Sequence, residues 1–349
     1  MKFVKKEFTT EVAGRTLTLE VSSLAQQANA AVLGKYGDTV VLVSVVMSER
    51  DASTDYMPLK VDYEERFYAA GKIIGSRFIR REGRPSEDAI LTGRLVDRVI
   101  RPLFASRLRR EMQVVATVLS YDEENRPDFV ALMAASTALA ISSIPWAGPV
   151  AGVRVAKVGD RFLVNPTNTE LQSTDFSFET FAAGSKGLIN MIELGGREAK
   201  EKEILSALEI AQKEVDQLID FQKGIAAEIG RSKAEVALAT AEPALQDAAK
   251  KFLASRLEDA VYEKEKLEHR RKMHAIKEEL VAHLTENFPD AMAEKGSAKA
   301  ELLFEEAVDE LVHRNILEKD KRPDGRGLAE VRSLDGEVSL FKRTHGSAV

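Results

Sequence analysis

The pattern of apolar residues changes its period at Gly195-Gly196, and this change constrains the fold more than any other feature. Up to that point apolar residues alternate with polar ones or form short continuous runs, which is typical of β-strands. From residue 197 to 229 they recur at helical spacing, which predicts one long amphipathic helix. Residues 231–318 are rich in Ala, Glu, Lys and Leu, which predicts an all-helical domain.

Before Gly195 the predicted strands are interrupted by a buried helix. Residues 128–144 are apolar and rich in small side chains, and the run is longer than a typical strand. Strands and helices do not alternate in a regular βαβ order, so an α+β domain is predicted rather than a doubly wound one. The predicted strands cover residues 3–8, 17–21, 30–33, 39–47, 59–63, 112–120, 150–158, 161–164, 176–182 and 188–193.

These patterns divide the chain into three predicted parts. A first core domain covers residues 1–229 and ends in the long helix. An all-helical domain covers residues 230–318. The third part, residues 319–349, begins as a charged turn and continues as a predicted strand.

A weak internal repeat suggests what the third part is. Residues 28–33 line up with residues 344–349, and a Gly-Arg pair precedes a strand in both places. The third part is therefore predicted to be the truncated start of a second copy of the first domain.

The composition excludes several classes of site. The chain has no cysteine, so disulfides, thiolate nucleophiles and thiolate metal ligands are excluded. The histidines lack ligand-like pairing at helical spacing, so no metal site is predicted in this portion. The N-terminus lacks the apolar core of a signal peptide, and no run approaches the roughly 18–20 apolar residues of a membrane span. A cytoplasmic protein without a membrane partner is expected.

The densest cationic segment is the basic band, which we define as residues 66–110. It holds twelve Lys or Arg against four Asp or Glu, in a chain whose net charge is −6. A basic band in an acidic protein indicates a polyanionic partner. Its first part, Gly71 to Pro85, is predicted to be a loop because it holds three glycines and a proline.

This loop carries one aromatic residue, Phe78, among Arg77, Arg80 and Arg81. Proteins bind single-stranded nucleic acid with cationic groups that contact phosphates and with ring faces that stack on bases. We therefore interpret the loop as a candidate contact for single-stranded nucleic acid.

The second part of the basic band is predicted to be a helix that Ser86 caps and Pro102 ends. Its apolar residues share one broad face, and Arg94, Arg98 and Arg101 lie on the opposite side. Such arginines form either a solvated face or an anion site, and the residues alone leave both interpretations open.

Several motifs closely resemble the polynucleotide phosphorylase family, in the first of its RNase PH-like core domains. These motifs are Tyr36-Gly37-Asp38-Thr39-Val40-Val41, Gly71-Lys72, Arg80-Arg81-Glu82-Gly83-Arg84-Pro85-Ser86-Glu87, Arg94-Leu95-Val96-Asp97-Arg98, Ile100-Arg101-Pro102-Leu103-Phe104 and Leu163-Val164-Asn165-Pro166-Thr167. Two further motifs resemble the start of the family's second core, namely Arg322-Pro323-Asp324-Gly325-Arg326 and Arg343-Thr344-His345-Gly346-Ser347-Ala348. The resemblance covers essentially the whole chain.

The resemblance implies an enzyme that degrades single-stranded RNA from its 3′ end. Inorganic phosphate is the nucleophile, nucleoside diphosphates are the products, and the reaction is reversible and requires Mg²⁺. It also implies a homotrimeric ring, in which each subunit joins two core domains by a helical domain and RNA threads the central pore. A helicase and an endoribonuclease of RNA degradation are expected as further partners.

In this family the metal-binding carboxylates and phosphate-binding serines belong to the second core, so no catalytic residue is expected in this chain. The first core guides RNA with a pore loop of two aromatic residues followed by two basic ones. The matching residues here are Arg77, Phe78, Ile79, Arg80 and Arg81, with Arg84 close behind. This run is one residue longer than the pattern, and Ile79 or Arg77 occupies one aromatic position, which leaves Phe78 as the stacking ring.

The resemblance also gives the remaining basic residues a role. Arg94, Arg98 and Arg101 would lie in a vestigial site for phosphate or another anion, and Arg343 and His345 would lie near the second-core site.

Two other functions are considered. A non-catalytic RNA-binding ring subunit of an exosome-like assembly stays open, because this chain has no candidate catalytic carboxylate pair near the basic band. A ribosomal or other structural RNA-binding protein would be basic throughout, which this chain is not.

Overall fold

The computed structural model describes residues 5–54, 56–73, 83–294 and 296–349. It divides into two compact units, Met1–Ala239 and Thr240–Val349. The described part of unit 1 contains two β-sheets and the helices that pack on them, and that of unit 2 is helical. The predicted α+β core followed by a helical region is confirmed.

The larger sheet of unit 1 is formed by the strands of the N-terminal third of the chain. Its strands are β1 (Lys5–Val12), β2 (Arg15–Ser22), β3 (Ala30–Tyr36), β4 (Thr39–Asp51), β5 (Leu59–Glu64) and β6 (Arg110–Ser120). They pair in the order β1-β2-β3-β4-β6-β5. All neighbours are antiparallel except β5 and β6, which are parallel because the chain between them crosses over through a helix.

The smaller sheet is antiparallel throughout, since its strands are joined by hairpins or by short connections. Its strands are β7 (Ala151–Val158), β8 (Arg161–Val164), β9 (Phe176–Ser185) and β10 (Leu188–Gly196), in the order β10-β9-β7-β8. Unit 1 also contains the helices α1 (Glu87–Ile100), α2 (Pro127–Ile141), α3 (Asn168–Leu171) and α4 (Glu201–Ile229), and 3₁₀ turns at Phe67–Ala70 and Arg101–Leu103.

Helix α2 is the predicted buried helix. It packs on β3 and β4 of the larger sheet, on β7 of the smaller sheet and on α4. Nearly all of its side chains are buried, as expected for a helix that is apolar on every face. Its close approach to β3 depends on Gly34, because a Cβ there would lie 2.7 Å from Cγ1 of Val130.

The boundary of unit 1 differs from the predicted one. We predicted that the first domain ends with α4 at Ile229, but residues 230–239 also pack on unit 1. The amides of Arg231 and Ala234 donate to the carbonyls of Ile141 and Ser143. These long-range hydrogen bonds hold the segment against unit 1, and apolar periodicity carries no sign of them.

The described part of unit 2 is built from helices around their own apolar core. They are α5 (Pro243–Leu253), α6 (Leu257–Val261), α7 (Lys266–Asn287), α8 (Pro289–Met292) and α9 (Gly296–Lys319). Leu253, Leu280, Leu284 and Phe304 are among the core residues. Pro243 and Pro289 each occupy the first position of a helix, where proline is tolerated because the amide hydrogen that it lacks has no helical partner there.

The strand predicted from Leu334 to Phe341 does not form part of a sheet in the structure. Its segment shows one isolated bridge, between Val338 and Ala348, and most of its side chains are exposed. A strand needs a neighbouring strand for its backbone hydrogen bonds, and the described residues offer it none beyond this bridge. Among the described residues, no helix is both long and apolar enough to cross a membrane.

Gln222 joins three parts of the core of unit 1. Its side chain is fully buried on α4, where Nε2 donates to the carbonyl of Val150 at 2.8 Å and Oε1 accepts from Oγ1 of Thr137 at 3.1 Å. Buried polar groups that lose a partner retain the cost of their desolvation.

We expect Gln222→Ala to lower the free energy of unfolding of unit 1 by about 1–3 kcal/mol. Urea unfolding followed by the fluorescence of Trp146, the single tryptophan, measures this because Trp146 is buried in unit 1. The matched control is Lys213→Ala, an exposed position on the same helix, which should change stability by less than about 0.5 kcal/mol. Equal stability of the two variants would contradict a stabilising role for the hydrogen bonds of Gln222.

Candidate functional site

The basic band divides into a part that the structure describes and a part that it does not. Residues 74–82 lie outside the described residues, and with them the candidate contacts Arg77, Phe78, Ile79, Arg80 and Arg81. Arg84 is described and exposed, close to the start of α1. The interpretation of residues 77–81 as RNA contacts stays a prediction.

Helix α1 begins as predicted. Oγ of Ser86 accepts from the amide of Ala89 at 3.0 Å and donates to Oε2 of Glu65 at 2.8 Å. The first contact caps the helix and the second ties its start to the end of β5. Glu87 and Asp88 lie in the first turn, where their negative charge interacts favourably with the positive end of the helix dipole.

Of the three arginines of the predicted anion site, Arg94 and Arg98 lie on α1, and Arg101 begins the 3₁₀ turn that follows it. Arg101 makes a bidentate contact with Asp97 at 2.9 and 2.7 Å, and it donates to the carbonyl of Leu59 at 3.0 Å. Arg101 thereby holds the end of α1 to β5. Arg94 and Arg98 are exposed and form no ion pair with any described residue. Anion binding by these three arginines stays a prediction.

A cavity of about 830 Å³ lies beside the first half of α1. Its walls come from α1, β5, the 3₁₀ turn at Phe67–Ala70 and the loop that leads into α2. Arg94, Arg98 and Arg101 do not line it. The apolar residues of α1 are not all buried, since Leu91 lines the cavity and is 57% exposed.

Four charged side chains, joined by ion pairs, form the inner wall of this cavity and its support. We call Arg126, Asp128, Arg154 and Glu179 the charge cluster. Nε of Arg154 lies 3.0 Å from Oδ2 of Asp128, and Nη1 of Arg154 lies 3.3 Å from Oε2 of Glu179. Nη1 of Arg126 lies 3.1 Å from the same Glu179 oxygen.

The charge cluster sets two arginines against two acidic side chains, and one of these, Asp128, is held in its ionised form. Burial alone would raise the pKa of Asp128, but the cations of Arg154 and Arg126 outweigh burial and lower this pKa below its usual range. Two arginines therefore face two carboxylates, and each guanidinium is used within the cluster.

Sequence reasoning missed the charge cluster, although a signal for it exists. Asp128 begins a helix that is otherwise apolar, and Arg154 is a charged residue in a strand that is otherwise mostly apolar. Isolated opposite charges in two buried elements indicate a buried ion pair, since neither charge is stable there alone.

Asp122 positions the loop that leads from β6 into α2. Its carboxylate accepts hydrogen bonds from the backbone amides of Asp38, Glu124 and Asn125 and from the side-chain amide of Asn125. Burial alone would raise the pKa of Asp122, but the hydrogen bonds from Asn125, Glu124 and Asp38 outweigh it and lower the pKa. The loop is thereby fastened to the turn between β3 and β4.

The two residues predicted to lie near the second-core site, Arg343 and His345, are exposed in unit 2. No cluster of described side chains surrounds them, and their role stays a prediction. No group of three His, Asp or Glu side chains among the described residues is placed to hold a metal ion.

The lowered pKa of Asp122 makes stability depend on pH in one direction. Stability from this carboxylate is fully present above its usual pKa of 3.8 and is lost as pH falls through the lower pKa of the folded state. We expect Asp122→Asn to reduce stability at pH 7 and to flatten the loss of stability between about pH 5 and pH 3. Urea unfolding at several pH values measures this. An acid loss as steep as that of the wild type would contradict it.

Comparisons with known families match most of the chain. The model of the 3′ exoribonuclease family, domain 1, matches residues 13–145, and the model of domain 2 of that family matches residues 148–214. The model of the polyribonucleotide nucleotidyltransferase RNA binding domain matches residues 244–327.

Curated relatives named polyribonucleotide nucleotidyltransferase align along the whole chain. The protein from Anoxybacillus flavithermus is 43% identical over 100% of this chain and 49% of its own length. The protein from Bacillus subtilis is 41% identical over 99% of this chain and 48% of its own length. That from Exiguobacterium sibiricum is 41% identical over 100% of this chain and 46% of its own length.

The chain therefore spans about half the length of the curated relatives it matches. Among solved structures, rice Rrp46 aligns with a TM-score of 0.48 and 12% identity, over 64% of this chain and 94% of that chain. The family predicted from the motifs is confirmed. The chain belongs to the polyribonucleotide nucleotidyltransferase family and corresponds to the N-terminal portion of its members.

Proposed function

We propose that this chain is the RNA-guiding portion of an enzyme that degrades single-stranded RNA from the 3′ end by phosphorolysis. The observation that carries the proposal is the alignment of the whole chain with polyribonucleotide nucleotidyltransferases. The match of residues 244–327 to a domain described as RNA binding supports the same substrate. The relatives are named as transferases, so a non-catalytic ring subunit is not favoured.

The reaction divides between this chain and a second core. Inorganic phosphate attacks the phosphorus of the last phosphodiester, and the bond to the 3′ oxygen of the preceding nucleotide breaks. That oxygen gains a proton, and a nucleoside diphosphate leaves. The described residues offer no metal-binding group. We therefore assign Mg²⁺, which would neutralise charge on the reacting phosphates, to the second core.

The residues of this chain hold and direct the strand. The basic band places an excess of cations on an acidic protein, so it attracts the phosphate backbone without regard to base sequence. Arg77, Arg80, Arg81 and Arg84 would contact phosphates, and Phe78 would stack on a base. Arg94 and Arg98, which are exposed, extend the cationic surface along α1.

The proposal extends to the oligomeric assembly of the enzyme and to its location in the cell. A homotrimeric ring would bring three basic bands around one pore, so that a single strand meets cations from every subunit. The enzyme would work in the cytoplasm beside a helicase and an endoribonuclease, which supply single-stranded 3′ ends.

We expect Arg80→Ala combined with Arg81→Ala, and separately Arg84→Ala, to weaken the binding of single-stranded RNA. Each lost phosphate contact should lower the slope of log K against log salt by about 0.7, because fewer counterions are released. Fluorescence anisotropy with a labelled oligouridine over a series of salt concentrations measures the slope. Arg161→Ala, at an exposed position on β8, is the matched control and should leave the slope unchanged. A slope that stays at the wild-type value in the Arg80 and Arg81 variant would show that these arginines form a solvated surface or a subunit interface.

We also expect the 349-residue chain to bind RNA without phosphorolysis, because the proposal places the reacting groups in the second core. Thin-layer chromatography of labelled RNA incubated with phosphate and Mg²⁺ measures this. A relative of full length is the positive control. Phosphate-dependent release of nucleoside diphosphates by the 349-residue chain would refute the division of labour.

A further inference from the structure

Three planar side chains are layered on one another in unit 2. The ring of Phe252, near the end of α5, stacks on the imidazole of His283 on α7, with a centroid distance of 4.7 Å and an angle of 24° between the planes. Cζ of Arg256, the residue before α6, lies 4.1 Å from the centroid of the same Phe252 ring. We call these three residues the planar stack. The planar stack links α5, α6 and α7.

The planar stack runs from the core of unit 2 to its surface. Phe252 packs against the apolar core and is half-buried, as is His283, whereas Arg256 is exposed. The imidazole is held by Asn287, because Nδ2 of Asn287 lies 3.3 Å from Nδ1 of His283 and donates to the carbonyl of His283 at 2.8 Å. The guanidinium of Arg256 is therefore the outer layer of the stack.

The guanidinium of Arg256 is held in place without the loss of its charge. Nη1 donates to the carbonyl of Phe252 at 2.7 Å, which gives a partner to a carbonyl in the last turn of α5. These contacts use one face of the guanidinium and one of its five N–H groups. Arg256 forms no ion pair with any described residue. Its second face and its other N–H groups are therefore available to a ligand.

Two other arginines of unit 2 are positioned by carboxylates instead. Arg271 pairs with Glu268, and Arg326 pairs with Asp324. The charge of each is balanced within the protein by its pair. Arg256 differs because an aromatic ring and a carbonyl, which carry no net charge, order it. An ordered cation that no carboxylate balances is suited to bind an anion, since little conformational entropy is lost on binding.

The charges around the planar stack decide where a phosphate can lie. Lys251, which precedes Phe252, is exposed and forms no ion pair with any described residue. Glu279 and Glu286 are exposed on α7, about one turn before and after His283. A phosphate is therefore attracted to the α5 side of the stack and repelled from its α7 side.

The planar stack offers the two contacts by which proteins hold single-stranded nucleic acid. A guanidinium plane stacks on a base, and its N–H groups and nearby cations contact phosphates. Stacking tolerates every base, because each base has a π-face. All three residues of the stack lie within residues 244–327, which match a domain described as RNA binding.

We propose that the planar stack binds single-stranded RNA, with one base on the open face of Arg256 and a neighbouring phosphate at Arg256 and Lys251. The proposal rests on the proposed function, because it gives the RNA substrate a second contact outside the basic band. The ligand is a strand rather than a free nucleotide, since one open face covers too little of a nucleotide to retain it alone.

Fluorescence anisotropy of the 349-residue chain with a labelled oligouridine tests the proposal. Arg256→Lys keeps the positive charge but removes the plane, and we expect it to weaken binding roughly 3- to 10-fold. Arg270→Lys is the matched control and should leave the affinity unchanged. Arg270 is exposed on α7, forms no ion pair with any described residue and lies about 20 Å along the helix from His283.

A second variant, Arg256→Ala, separates the charge from the plane. It should weaken binding at least as much as Arg256→Lys and should also lower the slope of log K against log salt by about 0.7, whereas Arg256→Lys should leave the slope unchanged. UMP at an equal concentration of nucleotide units should not displace the oligouridine, because the ligand is a strand.

A purely structural role of Arg256 gives a different result. If its only role were to cap α5, both variants would lower the stability of unit 2, which urea unfolding followed by far-UV circular dichroism measures, but the folded variants would bind RNA as the wild type does. That result would overturn the proposal. Equal affinities of Arg256→Lys and Arg270→Lys, or displacement of the oligouridine by UMP, would overturn it as well.

The outcomes separate this site from the proposed function. Weaker binding by the Arg80 and Arg81 variant, together with wild-type affinity of Arg256→Lys, would reject the planar stack alone. Weaker binding by Arg256→Lys, together with wild-type affinity of the Arg80 and Arg81 variant, would reject the RNA contact of the basic band alone. A wild-type chain that does not bind the oligouridine would reject both.

Discussion

The buried ion pair between Asp128 and Arg154 is the interaction on which the architecture of unit 1 most depends. Transfer of such charges out of water costs several kcal/mol per ion, and only close geometry with further partners offsets that cost. Here the offset comes from Glu179 and Arg126, which complete the charge cluster. The pair joins the start of α2 to the smaller sheet, and α2 also packs on the larger sheet. One interaction therefore fixes where both sheets meet their shared helix.

The arginines of unit 1 fall into two groups that have different roles. Arg154, which is mostly buried, and Arg101, which is partly buried, bind carboxylates or backbone carbonyls and hold elements of the fold together. Arginines that lie at the surface, such as Arg84, Arg94 and Arg98, have no described ion-pair partner. A polyanion meets only the second group, so the count of cations in the basic band overstates the number available to RNA.

Much of this arrangement follows from local sequence, and the rest does not. Period-two and helical patterns predicted the strands and long helices, and Ser86 predicted the start of α1, because these features depend on neighbouring residues. The charge cluster was missed because its members are distant from one another in the sequence. The role predicted for Arg101 was incomplete for the same reason, since its partners include the carbonyl of Leu59 on β5.

The central claim is that unit 1 holds single-stranded RNA at the basic band. Photo-crosslinking of the 349-residue chain to RNA that carries 4-thiouridine, followed by mass spectrometry of the adducts, tests this claim most directly. The account predicts adducts between residues 66 and 101, with Arg84 and its neighbours among them. Adducts confined to residues 244–327, the segment that matches a domain described as RNA binding, would contradict it.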